Sequence, residues 1–372
     1  MRIRIITDDF TSALDGTACF AERGWETAVL VRPDSTATAA VVSFDTDSRE
    51  YPPALDHDAV ATAARAWHDA DVLVLQFDST LRGRVARDCL TALAASGRRK
   101  LLVAPAFPSA GRTVEEGAVR VDGVPVHETA FRHDPVLPVR ESRIPALFRA
   151  HQIEMKVARD AAHARALLEV DDAVVVDART EADLDAIVTT FARQPDLLLA
   201  GSTGLLRGLA RVLSRAGGAP DVRAGCPDYA VAPALSAGRP WLVVGSLNPR
   251  SRRQLAVARA QCAIDVLATE EARSPISSVP QAVLRDVVTH AVNAISSGAC
   301  DGLVVTGGET ARRIIDALPV VSLRVCREIM PGVPLAEVRT ARGRFPLITK
   351  AGGFGDDDAL VTCIHTLTGA KP

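Results

Sequence analysis

The chain of 372 residues carries almost no excess charge: 43 Lys and Arg stand against 45 Asp and Glu, a formal net charge of −2. It offers no general attraction to nucleic acid or to an anionic membrane surface, so partners have to be argued from local clusters. Lysine is scarce, with Lys100, Lys156, Lys350 and Lys371 as its four representatives. This reflects a bias toward arginine, and only Lys350 borders a candidate site. The seven cysteines, at 19, 89, 226, 262, 300, 326 and 363, are odd in number, widely spaced and free of any C-x-x-C, which argues against a disulfide framework or a zinc ribbon. The eight histidines lack H-E-x-x-H or any similar pairing, so none is read as a metal ligand. No stretch approaches the roughly 20 apolar residues of a membrane span, and M-R-I-R-I-I-T-D-D-F reaches acidic residues too early for a signal peptide. A soluble, cytoplasmic chain is expected, with neither nucleic acid nor membrane among its partners.

What is present is a hydrophobic fraction of 48% and a length that calls for two domains. Short β-branched runs recur at 3–7, 28–31, 40–44, 72–77, 101–104, 173–177 and 197–201. Amphipathic patterns lie between several of them, at 14–23, 59–69, 85–96, 161–169, 181–193 and 205–214. Alternating strands and helices of this kind predict an α/β fold of mostly parallel sheet flanked by helices. Pro105–Arg143 breaks the rhythm and is read as an active-site excursion, folded into small hairpins if it is folded at all. After Gly217 periodicity fails and Gly and Pro accumulate, the composition of an inter-domain linker. The expected domains are therefore 1–222 and 240–372, joined by 223–239. In the second, strands are expected at 241–245, 264–268, 302–306, 323–326 and 345–349, with helices near 251–261, 281–297, 309–317 and 358–367.

Three glycine-bearing turns in the second domain each follow a strand and precede a helix: G-S-L-N-P-R-S-R-R-Q-L (245–255), V-T-G-G-E-T-A (305–311) and K-A-G-G-F-G-D-D-D (350–358). In an open parallel sheet such turns gather outside the carboxyl ends of the strands, where ligands bind. Gly352, Gly353 and Gly355 permit backbone angles that a Cβ would forbid and let N–H groups approach an anion, while the next helix contributes its positive end. Asp356, Asp357 and Asp358 would repel bare phosphate, a conflict that Mg²⁺ between them resolves. Ordinary tight turns with an Asp cap remain the alternative. None of the three is a P-loop or a dinucleotide fingerprint, which disfavours a dehydrogenase.

The first domain opens with a strand running into Asp8 and Asp9, then Thr11, Ser12 and a helix. Adjacent carboxylates at a strand end are costly unless a cation or substrate hydroxyls bind them; one capping the helix and the other facing water is the alternative. F-D-S-T-L-R-G (77–83) offers Asp78, the hydroxyls of Ser79 and Thr80, and Arg82, arginine being the usual bidentate reader of carboxylate and phosphate. Together they suit a small polyhydroxylated acid, unless Arg82 merely decorates a capped helix.

These motifs resemble the four-carbon acid sugar kinase family from one end of the chain to the other. I-T-D-D-F-T-S-A-L-D is similar to its N-terminal D-D-x-T-G-A motif, with Ser12 in place of Gly, and F-D-S-T-L-R-G to its D-S-T-L-R-G. A-P-A-F-P-S-A-G-R-T (104–113), D-G-V-P-V-H-E-T (122–129), D-P-V-L-P-V-R-E-S (134–142) and A-G-S-T-G-L (200–205) follow in order, as do the three glycine turns and P-G-V-P (331–334). The resemblance implies an ATP-dependent kinase of threonate, erythronate or 3-oxo-tetronate, with a sugar-acid domain, an ATP domain and an active site in the cleft between them. By position, Asp8, Asp9, Asp78, Ser79, Arg82 and Arg112 fall to the substrate side, with Asp8, Asp9 or Asp78 as catalytic base. Ser246, Thr306, Gly307, Gly308, Glu309, Thr310, Gly332, Gly352, Gly353 and Gly355 fall to ATP, with Asp356 and Asp358 to Mg²⁺ or loop order. Gln76 occupies the family's usual Lys position and Ala351 its usual Ser. The loss of that lysine motivates a second reading, a weakened member that binds sugar acid or nucleotide without efficient turnover. The sequence leaves open whether two chains pair as a homodimer.

Limited proteolysis should nick 218–238 before either sheet, because periodicity is lost there. Early cleavage within a predicted strand, read by mass spectrometry, would count against the boundary.

Overall fold

The computed structural model describes residues 1–32, 37–50, 59–134, 136–215, 235–269, 281–341 and 343–370. The chain separates into two compact units, Met1–Pro220 and Asp221–Pro372. Most of the expected linker 223–239 lies outside the described residues. Ala237, near its end, is buried in the second unit and donates its N–H to the Leu367 carbonyl at 2.8 Å.

In the first unit the strands are β1 (Ile3–Thr7), β2 (Thr27–Leu30), β3 (Val41–Asp45), β4 (Val72–Gln76), β5 (Lys100–Ala104), β6 (Arg112–Glu115), β7 (Ala118–Val121), β8 (Val124–Pro125), β9 (Lys156–Ala158), β10 (Ala173–Val176) and β11 (Leu197–Gly201). The helices are α1 (Phe10–Ala21), α2 (Ala59–Ala66), α3 (Val85–Ser96), α4 (Ile144–Arg149), α5 (Ala161–Val170), α6 (Glu181–Phe191) and α7 (Thr203–Arg215). The main sheet runs β2-β3-β1-β4-β11-β5-β10-β9 with every pairing parallel. Strands such as Val72–Gln76 and Leu197–Gly201 are buried throughout, which is why they read as continuous apolar runs rather than alternations. β1 lies between β3 and β4, and Thr7 is level with Asp45 on one side and Gln76 on the other. The residues that follow these three strands therefore emerge together, at the point where the chain order reverses.

The start of α1 differs from the expected elements, β9 and α4 were not expected, and the excursion folds into hairpins as expected. Helix α1 begins at Phe10 rather than Leu14, because Asp9 caps it by accepting the Ser12 N–H at 2.6 Å. The excursion 105–143 contains the antiparallel sheet β6-β7-β8 and short 3₁₀ turns.

The second unit contains β12 (Pro240–Val244), β13 (Asp265–Ala268), β14 (Gly302–Thr306), β15 (Val320–Met330), β16 (Val333–Thr340) and β17 (Gly343–Lys350), with α8 (Pro249–Gln261), α9 (Gln281–Ser297), α10 (Gly308–Ala317) and α11 (Ala359–Thr368). Its order is β13-β12-β14-β17-β16-β15. The first four are parallel and the last three form an antiparallel meander. The sequence reading placed a short strand inside β15 and missed β16. Pro334 and Pro346, which sit opposite Glu328 and Glu337 in the ladders, disguise the meander, since proline ordinarily demotes a strand.

Helix α7 enters against the backbone at the end of β5. A Cβ on Gly204 would collide with the Ala106 carbonyl oxygen and lie 2.8 Å from Phe107 Cα. Gly204→Ala should therefore cost about 1–3 kcal/mol, the scale of overpacking a core, read as a lower urea midpoint. An unchanged midpoint would mean that this backbone can yield.

Candidate functional site

At the switch point of the first unit, the paired acids find a cation that the sequence reading did not name. Arg49, just beyond β3, grips Asp8 with Nε to Oδ2 at 2.9 Å and Nη2 to Oδ1 at 2.7 Å. Its Nη1 reaches Asp9 Oδ2 at 2.5 Å and its Nη2 donates to Ser12 Oγ at 2.9 Å. The Arg49 N–H also donates to the Asp8 carbonyl at 3.0 Å. Planar guanidinium suits this fork as ammonium would not. Burial pushes the Asp8 carboxyl up, to about 6, against the pull of Arg49. Two acids at the end of one strand signal the need for a counter-ion, but that D-T-D-S-R-E supplies it follows only from the pairing of β3 with β1.

The turn after β4 adds the second layer. Asp78 accepts from Thr80 Oγ1, from Arg82 Nε at 2.9 Å and from Arg82 Nη2 at 3.2 Å. Burial alone would raise its carboxyl, but Arg82 and Arg49 outweigh it and hold Asp78 well below the usual carboxylate range. Arg82 in turn rests over the Phe131 ring at 5.5 Å and sends Nη1 to Asp134 at 3.4 Å, both supplied by the excursion. Its fork is thus engaged by an internal acid. Arg112, half-buried on β6, senses the charges of both Asp78 and Arg82, and its buried Nε meets no acceptor among the described residues. Ser79 is half-buried in the same turn. Leu81 adopts φ +65°, a left-handed conformation that is uncommon for a branched side chain. Gly83, at φ +92°, packs beside Arg49, where a Cβ would lie 3.1 Å from its Cγ. Gln76 is buried and donates to Thr203 Oγ1 at 3.0 Å, and Thr203 donates to Asp15 at 2.8 Å.

In the second unit the three glycine turns converge at the ends of β12, β14 and β17. The Gly245 N–H donates to the Thr306 carbonyl at 3.0 Å and the Gly307 N–H to the Lys350 carbonyl at 3.1 Å. Thr306 is buried with its hydroxyl 3.2 Å from Ser251 Oγ, and Thr310 packs where a Cβ on Gly245 would go. The turn after β17 is held by its carbonyls. Ala351 accepts from Lys350, Gly352 from Ser251 at 2.8 Å, Gly353 from Arg250 at 3.0 Å, and Phe354, Gly355 and Asp356 from Gln254 Nε2 at 3.0, 3.1 and 2.7 Å. Six successive carbonyls face donors within the unit. Among the described residues, the N–H groups of Gly352, Gly353 and Gly355 meet no protein acceptor, the arrangement of an anion-binding nest.

The glycines differ in why they are needed. Gly355 has φ +75° and sits against Ala359 and Met330. Gly352 has no such angle, but a Cβ would strike Ser246 Oγ. At Gly353 neither reason holds, because its φ is not in the left-handed range and the nearest atom to a Cβ is Asn248 Nδ2 at 3.8 Å; the expected backbone constraint is corrected there. Gly332 turns the β15–β16 hairpin at φ +75° beneath the Phe354 ring, 2.5 Å from a hypothetical Cβ. Gly308 opens α10, whose N-cap Gly307 supplies no side chain, and Glu309 points along it to Arg313 at 2.7 Å. Asp356 and Asp358 are exposed, and Asp358 heads α11 without making a side-chain cap. Asp357 lies 3.5 Å from Arg253.

The two units match two family models: a sugar-binding N-terminal domain over residues 3–209 and a nucleotide-binding C-terminal domain over 270–360. The chain belongs to the four-carbon acid sugar kinase family. It is 28% identical to a D-threonate kinase of Salmonella typhimurium, over 98% of both chains, and 30% identical to one of Cupriavidus necator, over 99% of this chain and 98% of that one. A 3-oxo-tetronate kinase of S. typhimurium is 25% identical over 97% and 98%. A crystal structure from S. typhimurium LT2, described as that of a tRNA synthase, superposes with a TM-score of 0.80 over 99% of both chains at 22% identity, a likeness that speaks for the fold alone. A Bordetella bronchiseptica structure, a domain-swapped dimer with bound citrate, has a TM-score of 0.52 and 27% identity over 99% of both chains. Among the described residues no helix is long and apolar enough to cross a membrane.

Removing Arg49 would leave two carboxylates without their counter-ion. Arg49→Met should lose about 3–5 kcal/mol of stability, with part regained in Arg49→Met/Asp8→Asn. Urea unfolding checks this, and a single variant as stable as wild type would deny the clamp its role.

Proposed function

We propose that the protein is an ATP-dependent kinase that phosphorylates a hydroxyl of a four-carbon sugar acid such as threonate, erythronate or 3-oxo-tetronate. The observation that carries this reading is the turn at 351–356, whose carbonyls are all engaged while its glycine amides stay available. Phosphoryl transfer demands positioning and neutralisation of charge more than covalent help, and such a nest beside two further helix N-termini supplies both for a triphosphate. Asp356 and Asp358, exposed and next to the nest, fit Mg²⁺, which takes one or two carboxylates and completes its shell with phosphate oxygens and water. Bound there, the ion would neutralise developing phosphate charge.

On the acceptor side, the cluster in the first unit alternates acid and base in a way suited to a hydroxy acid. Arg112, with its free Nε, and Arg82, once Asp78 shares it, would take the carboxylate; Asp78, Ser79 and Asp9 would take hydroxyls. The Bordetella protein was crystallised with citrate, itself a hydroxy acid. Asp8 is assigned as general base. Asp78 is held too acidic to accept a proton readily and Asp9 has one oxygen on its cap and the other on Arg49, which leaves it an acceptor of hydroxyls rather than of the proton, whereas Asp8 sits near 6. The names of the relatives support the same substrate class. A cytoplasmic location and pairing of two chains belong to this proposal, the first supported by the free cysteines among the described residues and the second by the Bordetella dimer.

A coupled ADP-release assay with ATP, Mg²⁺ and a panel of tetronates decides it. Turnover of at least one is expected. Because Asp8 must be ionised to act, kcat/KM should rise with pH through about 6 and level off above, and Asp8→Asn should fall by about 10²–10⁴. Binding of both ligands without ADP release would favour the weakened member instead, and a flat profile in an active enzyme would remove Asp8 as base.

A further inference from the structure

A lysine beside a glycine-rich phosphate turn invites the role of phosphate reader, yet Lys350 is committed elsewhere. It ends β17 with no exposure to solvent. Its Nζ donates to the carbonyls of Ala351 at 3.0 Å, Phe354 at 3.1 Å and Gly352 at 3.4 Å. An ammonium has three donors, and all three are used on the turn itself. From the other side, Gln254 on α8 takes the carbonyls of Phe354, Gly355 and Asp356. Each peptide unit whose carbonyl is drawn inward turns its N–H outward, so these two side chains decide which way the nest faces.

The geometry points to Lys350, with Gln254, as the positioning residue that holds the glycine turn in its anion-binding form without touching the phosphates. This rests on the proposal that the turn binds nucleotide. The charge of Lys350 matters as well as its donors: a neutral amine offers two N–H groups to three carbonyls and places no positive potential beneath the nest. Burial lowers the ammonium to about 8. The titratable and charged groups facing it are Cys363 on α11, whose thiol burial pushes up to about 12, and Arg250 on α8. Of the groups that face the turn from these elements, Lys350 is the one expected to change charge between pH 7 and 9.

Calorimetric titration of the full-length protein with Mg–ATP, and separately with threonate, tests the assignment. Lys350→Met and Gln254→Leu should each weaken Mg–ATP at least tenfold and raise its KM, while threonate affinity stays within twofold. Wild-type Kd should rise several-fold from pH 7 to pH 9, and this rise should vanish in Lys350→Met. Folded variants, with cooperative melts, that bind Mg–ATP as wild type does would overturn the inference. If neither variant folds, the wild-type profile decides, and a Kd constant across that range overturns it. Wild-type protein that binds threonate but no Mg–ATP would overturn the nucleotide reading itself.

Discussion

Two acids at the end of one buried parallel strand cannot both stay ionised unless a cation is buried with them. In the first unit that condition shapes the centre of the sheet. Asp8 needs Arg49, Arg49 lies within reach of Asp78, and Asp78 draws in Arg82. Arg82 then rests on Phe131 and reaches Asp134, which ties the excursion to the sheet. Such an array is worth little as a source of stability, because desolvation offsets most of its Coulombic gain. Its value is that charges of both signs stand fixed at the carboxyl ends of strands, with directions already chosen before any ligand arrives.

The second unit solves a neutral version of the same problem. A turn that exposes its amides must hide its carbonyls, and hidden carbonyls need donors. Ser251, Arg250 and Gln254 from α8 and Lys350 from β17 provide them. The two units thus differ in what they leave fixed: one holds acids and guanidiniums, the other uncommitted N–H groups.

Much of this was legible in sequence. Most parallel strands of both units are apolar runs bounded by turns, and periodicity located them to within a residue or two; the three-residue edge strand β9 (Lys156–Ala158) was too short to show. Three glycine turns could be expected to meet because strand ends in one sheet must. The meander β15–β16–β17 was obscured by prolines within its ladders, and the start of α1 by the cap that Asp9 supplies. Arg49 escaped because its importance lies in register: nothing in D-T-D-S-R-E announces it until β3 is laid beside β1. Lys350 was visible as a neighbour of the turn, but the direction of an ammonium depends on which carbonyls surround it, and that is a property of packing. Gly353 shows the reverse error, where a glycine motif suggested a constraint that the backbone at that position does not impose.

The carbonyl partners of the last turn come from a helix 100 to 102 positions earlier in the chain, through Gln254. The turn is thus a composite, written in two separate places, and the familiar glycine string is only its visible half. Transplanted alone onto another strand and helix, K-A-G-G-F-G-D would carry the freedom to adopt many shapes without the instruction to adopt this one. Portability belongs to the pair of segments, and a lineage that alters the buried face of α8 edits this turn without changing a letter of it.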